Sequence, residues 1–176
     1  MSDKKRNVFL IGPMGSGKTA VGRYLARSMR FSFYDSDVDV EKRTGVDIPF
    51  IFEKEGEAGF RLREFESIDR LTQMHGIVLA TGGGAIIGAE NRRWLAERGT
   101  VVYLLTSIEQ QLERTRHGRH RPLLNYTDPE VRLRELMAQR SALYEAIADI
   151  TVSTDDRKAQ LVAQEIHDQI KRLHGE

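Results

Sequence analysis

Eight residues near the start carry the most specific chemistry in the chain. Gly12, Pro13, Met14, Gly15, Ser16, Gly17, Lys18 and Thr19 fill the pattern Gly-x4-Gly-Lys-Ser/Thr, directly after the apolar run Val8 to Ile11. Glycines let such a loop curl so that its N–H groups converge on a polyphosphate, and the helix that follows adds the positive end of its dipole. The lysine reaches the β- and γ-phosphates, and the Thr19 hydroxyl is the expected Mg2+ ligand. The expected nucleotide contacts are Gly12, Gly15, Ser16, Gly17, Lys18, Thr19 and Ala20. A turn that only joins strand to helix is the plainer alternative, but the complete motif in a strand–loop–helix setting speaks against it. Neither Asp-x-x-Gly nor Asn-Lys-x-Asp occurs anywhere in the sequence, so a guanine-nucleotide switch lacks its reader and ATP is the expected nucleotide. A motor ATPase would show a strand ending in Asp, whereas Ile77 to Ala80 runs into Thr81-Gly82-Gly83-Gly84. A small kinase is the leading class.

On the acceptor side, Asp35 and Asp37 stand at i and i+2, on one side of what reads as the end of a second strand. One could serve magnesium and the other a substrate hydroxyl. The alternative is a helix N-cap followed by an acidic first turn, since Asp39 and Glu41 come next. Glu57, Arg61 and Glu64 share one helix face, close to Phe52 and Phe60. Flanking carboxylates can hold a guanidinium ready for an anion, although the same spacing also describes an exposed ion-pair face. Gly82, Gly83 and Gly84 would let a ligand lie against bare backbone N–H groups. Arg140 interrupts an apolar stripe of Leu133, Leu136, Met137, Leu143 and Ile147. Either it snorkels to solvent, or it points into a cleft and receives a carboxylate in bidentate fashion.

Between residues 114 and 121 lie four arginines, Arg114, Arg116, Arg119 and Arg121, with His117 and His120, closed by Pro122-Leu123-Leu124. This composition suits a lid whose arginines neutralise charge on a transferring phosphoryl group. A nucleic-acid patch is disfavoured, because the net charge is only +1 and no aromatic platform is interleaved. The two histidines lack a second ligand cluster, so no metal site is expected there. His75, His167 and His174 read as surface residues.

These groups need a scaffold. Strands are expected at 7–11, 31–34, 77–80, 100–105 and 150–153, separated by amphipathic helices. Val21, Leu25 and Met29 line the first helix, and Val162, Ile166, Ile170 and Leu173 the last. Alternating strands and helices call for right-handed crossovers and a parallel sheet covered on both faces, an α/β architecture. A helical stretch from Ile48 to Met74, broken near Gly56 and Gly59, and the arginine-rich loop interrupt the alternation. The 176 residues, 30% charged and 40% hydrophobic, describe one soluble domain spanning 1–176, with an insert at about 36–74 and a lid at about 116–125. No cysteine is present, which excludes disulfides, thiolate metal sites and cysteine nucleophiles. No apolar run approaches the roughly 20 residues needed to span a bilayer, and the basic Lys4-Lys5-Arg6 is followed too soon by Gly12-Pro13 for an export signal. A cytoplasmic monomer that binds neither membrane nor nucleic acid is expected.

Taken in order, GPMGSGKT at 12–19, FYDSD at 33–37, EGExxFRxxE at 55–64, TGGGA at 81–85, RPLL at 121–124 and RxxLY at 140–144 resemble the shikimate kinase family. These are P-loop small-molecule kinases related to the nucleoside monophosphate kinases, and the resemblance runs from Asn7 to about Ile170. It implies a three-layer P-loop kinase fold with a five-stranded parallel sheet, a helical substrate-binding insert and an arginine-rich lid. It further implies ATP and shikimate as substrates and Mg2+ as cofactor. Asp35 would then help hold Mg2+ through water, and Asp37 would bind a ring hydroxyl. Arg61, braced by Glu64, and Arg140 would grip the substrate carboxylate, with the backbone at Gly83 and Gly84 closing on the ring. Arg121 would reach the phosphates from the lid, and Arg114 would lie along the adenine; Lys18, Asp37 and Arg121 are the catalytic set so implied. The adenine loop near Thr154 and Asp155 is variable in such kinases and yields no assignment. Gluconate kinases share the loop and the size and are the alternative within this class. A regulatory module that binds nucleotide without transferring phosphate is the alternative outside it.

Overall fold

Each uninterrupted apolar run becomes a short buried strand, because a run without a polar side has to be covered on both faces. The computed structural model describes residues 7–116 and 128–176. Its strands are β1 Val8–Ile11, β2 Ser32–Asp35, β3 Ile77–Ala80, β4 Thr100–Leu105 and β5 Ile150–Ser153. They pair in parallel in the order β2-β3-β1-β4-β5. The helices are α1 Lys18–Met29, α2 Ser36–Thr44, α3 Ile48–Thr72, α4 Ala89–Arg98, α5 Ile108–Thr115, α6 Pro129–Ile147 and α7 Ala159–His174, with a 3-10 turn at Ala85–Ile87. Among the described residues no helix is long and apolar enough to cross a membrane.

The pleat sorts alternate residues into two cores. Val8, Leu10, Val78, Val102 and Leu104 meet Val21 and Leu25 of α1 and Val162 and Ile166 of α7 on one face. Phe9, Ile11, Leu79, Val101 and Tyr103 meet Ile68 and Leu71 of α3, Leu95 of α4 and Tyr144 of α6 on the other. The result is the expected three-layer α/β architecture. A third cluster, Val40, Ile51 and Phe60 with Phe52 against it, fixes α2 on α3. Those two helices are the segment read as an insert. Of the two glycines at which α3 was expected to break, only Gly56 leaves helical geometry, at φ 71°.

Some boundaries differ from expectation. β2 is shifted by one residue, so that Asp35 pairs across from Ala80 inside the sheet. Leu173 is 49% exposed instead of continuing the buried stripe of α7. His167 and His174 lie at the surface but partly covered, hydrogen-bonded to Ser28 at 2.5 Å and Thr100 at 3.3 Å. In an open parallel sheet, ligands sit outside the carboxyl ends of the strands near the point where strand order reverses. Here β1 leads into Gly12, β2 ends on Asp35 and β3 leads into Thr81, all at that edge.

Candidate active site

The phosphate loop leaves β1 with three glycines at positive φ: Gly12 at 147°, Gly15 at 77° and Gly17 at 89°. A Cβ at Gly12 would sit 2.8 Å from the Leu104 carbonyl, so both backbone angle and space demand glycine there. Gly17 caps α1 without a side-chain hydrogen bond, and the positive end of the α1 dipole faces the loop. Lys18 Nζ donates to Gly12 O at 2.7 Å and to Pro13 O at 2.8 Å, which holds the ammonium across the loop. The buried Ser16 adds its Oγ as a third acceptor at 3.2 Å.

Asp35 divides its carboxylate between two tasks. Oδ1 accepts from the N–H groups of Asp37 and Val38 and so caps α2, while Oδ2 accepts from Thr19 Oγ1 at 2.9 Å. The capping alternative is therefore what one oxygen does. The extended i, i+2 rationale fails: Asp37 lies in the first turn of α2, and it is the cap that brings both carboxylates to the same cleft. That open cleft, of about 310 Å³, is lined by the loop from Met14 to Ala20, by Asp35, Asp37 and Thr81 to Gly83, and by Arg114. The donors Thr19 and Asp35 are hard oxygens held side by side, and among the described residues no group of three or more His, Cys, Asp or Glu could cage a metal. This fits Mg2+, which keeps its waters and is held by one or two protein oxygens together with phosphates.

Behind the cleft, the glycine run serves the chain's own side chains. Gly82 N donates to the buried Ser36 Oγ at 2.9 Å, so that N–H is not bare. A Cβ at Gly82 would fall 2.7 Å from Asp37 Oδ1 and 2.9 Å from Glu64 Oε2; at Gly84 it would fall 2.3 Å from Arg61 Nη2. These glycines let two carboxylates and a guanidinium press against the backbone. Gly83 O accepts from Tyr144 OH at 2.5 Å.

Arg61 donates to Glu64 Oε1 at 2.9 Å and to Glu57 Oε1 at 3.2 Å. With Glu64 only 1% exposed, this is not a solvated ion-pair face. Burial opposes the Arg61 charge, but the two carboxylates outweigh it and the net effect favours the cation. Burial pushes the Glu64 carboxyl up to about 7, with Arg61 opposing and the Asp37 charge adding to the rise. Arg140 is 4% exposed, so it does not snorkel. Burial lowers its pKa, the Tyr144 hydroxyl partly compensates, and Arg61 repels it. Among the described residues, the buried Nε atoms of Arg61 and Arg140 have no hydrogen-bond partner. Two adjacent guanidiniums in that condition are complementary to a carboxylate.

Arg114 stands at the opposite end of the cleft. It donates to Gly15 O at 3.1 Å, to Thr154 Oγ1 at 3.0 Å and to Thr154 O at 2.6 Å, tying the loop to the segment after β5. Arg121, Arg119, His117, His120 and Pro122-Leu123-Leu124 lie outside the described residues; Arg116 is described and exposed. Ser36, Tyr144 and Thr154 were not singled out as site residues from sequence. Only Tyr144 left a signal, standing four residues after Arg140 on the same helix face.

Comparison with known proteins agrees with this geometry. The sequence profile of the family described as Shikimate kinase matches residues 14–171. A shikimate kinase of Psychromonas ingrahamii is 53% identical over 163 residues, covering 93% of this chain and 95% of the relative. The structure of shikimate kinase from Acinetobacter baumannii in complex with shikimate superposes with a TM-score of 0.95 at 48% identity, covering 97% of this chain and 96% of that one. A gluconokinase from Sinorhizobium meliloti reaches a TM-score of 0.61 at 17% identity over 97% of this chain and 94% of that one, a likeness of fold alone. A phosphate loop, two converging arginines and matched relatives along nearly the whole length lead to one conclusion: the chain belongs to the shikimate kinase family.

Proposed function

We propose that the protein transfers the γ-phosphoryl group of ATP to the 3-hydroxyl of shikimate, giving shikimate 3-phosphate and ADP on the route to the aromatic amino acids. The observation that carries this reading is Arg140, a buried cation on an otherwise apolar helix face whose Nε has no acceptor among the described residues, next to an Arg61 held in place by Glu64. A neutral polyol would not require this pair, and a carboxylate satisfies it. Arg61 and Arg140 take the carboxylate of shikimate, and the backbone at Gly83 and Gly84 limits the space around the ring. Asp37 orients the hydroxyl. Its oxygen bonds to phosphorus in line as the bond from phosphorus to the β–γ bridging oxygen breaks, and the hydroxyl proton passes to Asp37 late, as a loose transition state allows.

The loop from Gly12 to Ala20 binds the phosphates, and Lys18 moves from its loop carbonyls to the oxygens where charge develops. Thr19 directly, and Asp35 through water, would hold Mg2+, which neutralises charge on the β- and γ-phosphates. Arg121 reaches the phosphates from the lid. Arg114, fixed by Thr154, lies along the adenine. The protein works as a cytoplasmic monomer, without nucleic acid or membrane as partner.

ADP release by the purified protein with Mg2+ and ATP, in the presence of shikimate, gluconate or a nucleoside monophosphate, tests this reading. Release with shikimate alone is expected. Release with gluconate would move the acceptor assignment to the alternative kinase, and ATP binding without release on any acceptor would favour the regulatory module.

A further inference from the structure

We propose that Tyr144 is a positioning residue for carboxylate recognition: its hydroxyl joins the Gly83 carbonyl to the Arg140 guanidinium, so that glycine loop and arginine meet the acceptor as one unit. The inference rests on shikimate as the acceptor. Arg140 and Tyr144 stand four residues apart on α6 and are both buried. The Tyr144 hydroxyl donates its single proton to Gly83 O at 2.5 Å. Its lone pairs are then left for a donor, and the buried Arg140 guanidinium, one turn earlier on α6, is the donor assigned to them. With that bond made, a chain runs from Arg140 through Tyr144 to the peptide between Gly83 and Gly84, and each bond polarises the next.

The rest of the side chain explains why the arrangement stays in register. The Tyr144 ring stacks on Tyr103 at 5.1 Å between centroids and 21° between planes, inside the apolar cluster under α6. Phenylalanine would fill that cluster equally well, and a buried hydroxyl is costly unless bonded. The hydroxyl bonds to Gly83, on the acceptor side of the site, and shares α6 with Arg140. Burial raises the pKa of the phenol, so it stays a donor throughout the working range of pH.

Tyr144→Phe keeps the ring and removes only the hydroxyl. The KM for shikimate should rise about 5- to 20-fold, with kcat and the KM for ATP within about two-fold of wild type and the thermal midpoint little changed. A merely structural hydroxyl would lower the midpoint or raise both KM values alike, and that result overturns the proposal. A second arm uses Arg140→Lys alone and combined with Tyr144→Phe. If Tyr144 acts through Arg140, the double variant binds shikimate no more than about two-fold more weakly than Arg140→Lys; full additivity overturns the proposal. Wild-type turnover of shikimate is measured alongside. Its absence refutes the assigned acceptor, and this inference with it, whereas normal wild-type turnover with an unchanged Tyr144→Phe variant refutes this inference alone.

Discussion

Gly84→Ala separates the arginine grip from everything around it. Gly84 has φ −92° and ψ −1°, outside the left-handed region, so the substitution adds one methyl without the strain of a positive φ. That methyl would stand 2.3 Å from Arg61 Nη2, 2.4 Å from Nη1 and 2.6 Å from Cζ, against an ordinary contact of 3.4 Å or more. The guanidinium therefore has to retreat by about 1 Å, more than its 2.9 Å bond to Glu64 can absorb. Losing one charge-assisted hydrogen bond costs about 2 kcal/mol, or roughly thirty-fold. A displacement of this size in a substrate-positioning group has a comparable or larger effect on rate. Coupled ADP release at saturating ATP should show kcat/KM for shikimate reduced roughly 30- to 100-fold, with the KM for ATP within two-fold. An unchanged kcat/KM for shikimate would refute the claim that the position of Arg61 matters. An equal loss toward ATP would show that the glycine loop had moved instead.

Lys18→Ala should reduce transfer to any acceptor by at least ~10²-fold in the same assay, and retained turnover would remove Lys18 from the phosphate site. Asp37→Asn should lower kcat by a similar factor while shikimate still binds in calorimetry; near-normal kcat would leave Asp37 an orienting role only. Glu64 sets a pH dependence whose sign is fixed. Its folded-state pKa of about 7 stands above the ordinary 4.5, so the fold favours the protonated form and loses stability as pH rises between those values. Ionisation costs the fold roughly 3 kcal/mol once pH exceeds 7. Wild type should therefore lose thermal stability relative to Glu64→Gln between pH 5 and pH 8, and parallel pH profiles would contradict this.

The phosphate loop was legible from sequence because its geometry is local: three glycines with positive φ and a lysine folded back on the loop follow from eight consecutive residues. β3 and β4 were legible because unbroken apolar runs have few alternatives. The one-residue shift of β2 was not, since the role of Asp35 as cap and sheet residue depends on pairing with Ala80, 45 positions away. Arg140 announced itself by interrupting an apolar stripe. Ser36 did not, because a serine suits a first turn, and the spacing of Tyr144 from Arg140 shows only a shared helix face; tertiary placement alone puts both hydroxyls on the glycine run. Periodicity likewise shows which way Leu173 faces without showing where the partner surface ends.

The order of the strands has a consequence for how the protein is made. The phosphate loop leaves the ribosome well before the elements that fix it. Arg114 anchors the loop to Thr154, beyond β5, and α1 rests on Ala163, Ile166 and Ile170 of α7. At about 5–20 residues per second, the loop waits on the order of ten seconds for these partners. A nascent chain halted before β5 carries the whole phosphate-loop sequence but neither Thr154 nor α7 to fix it.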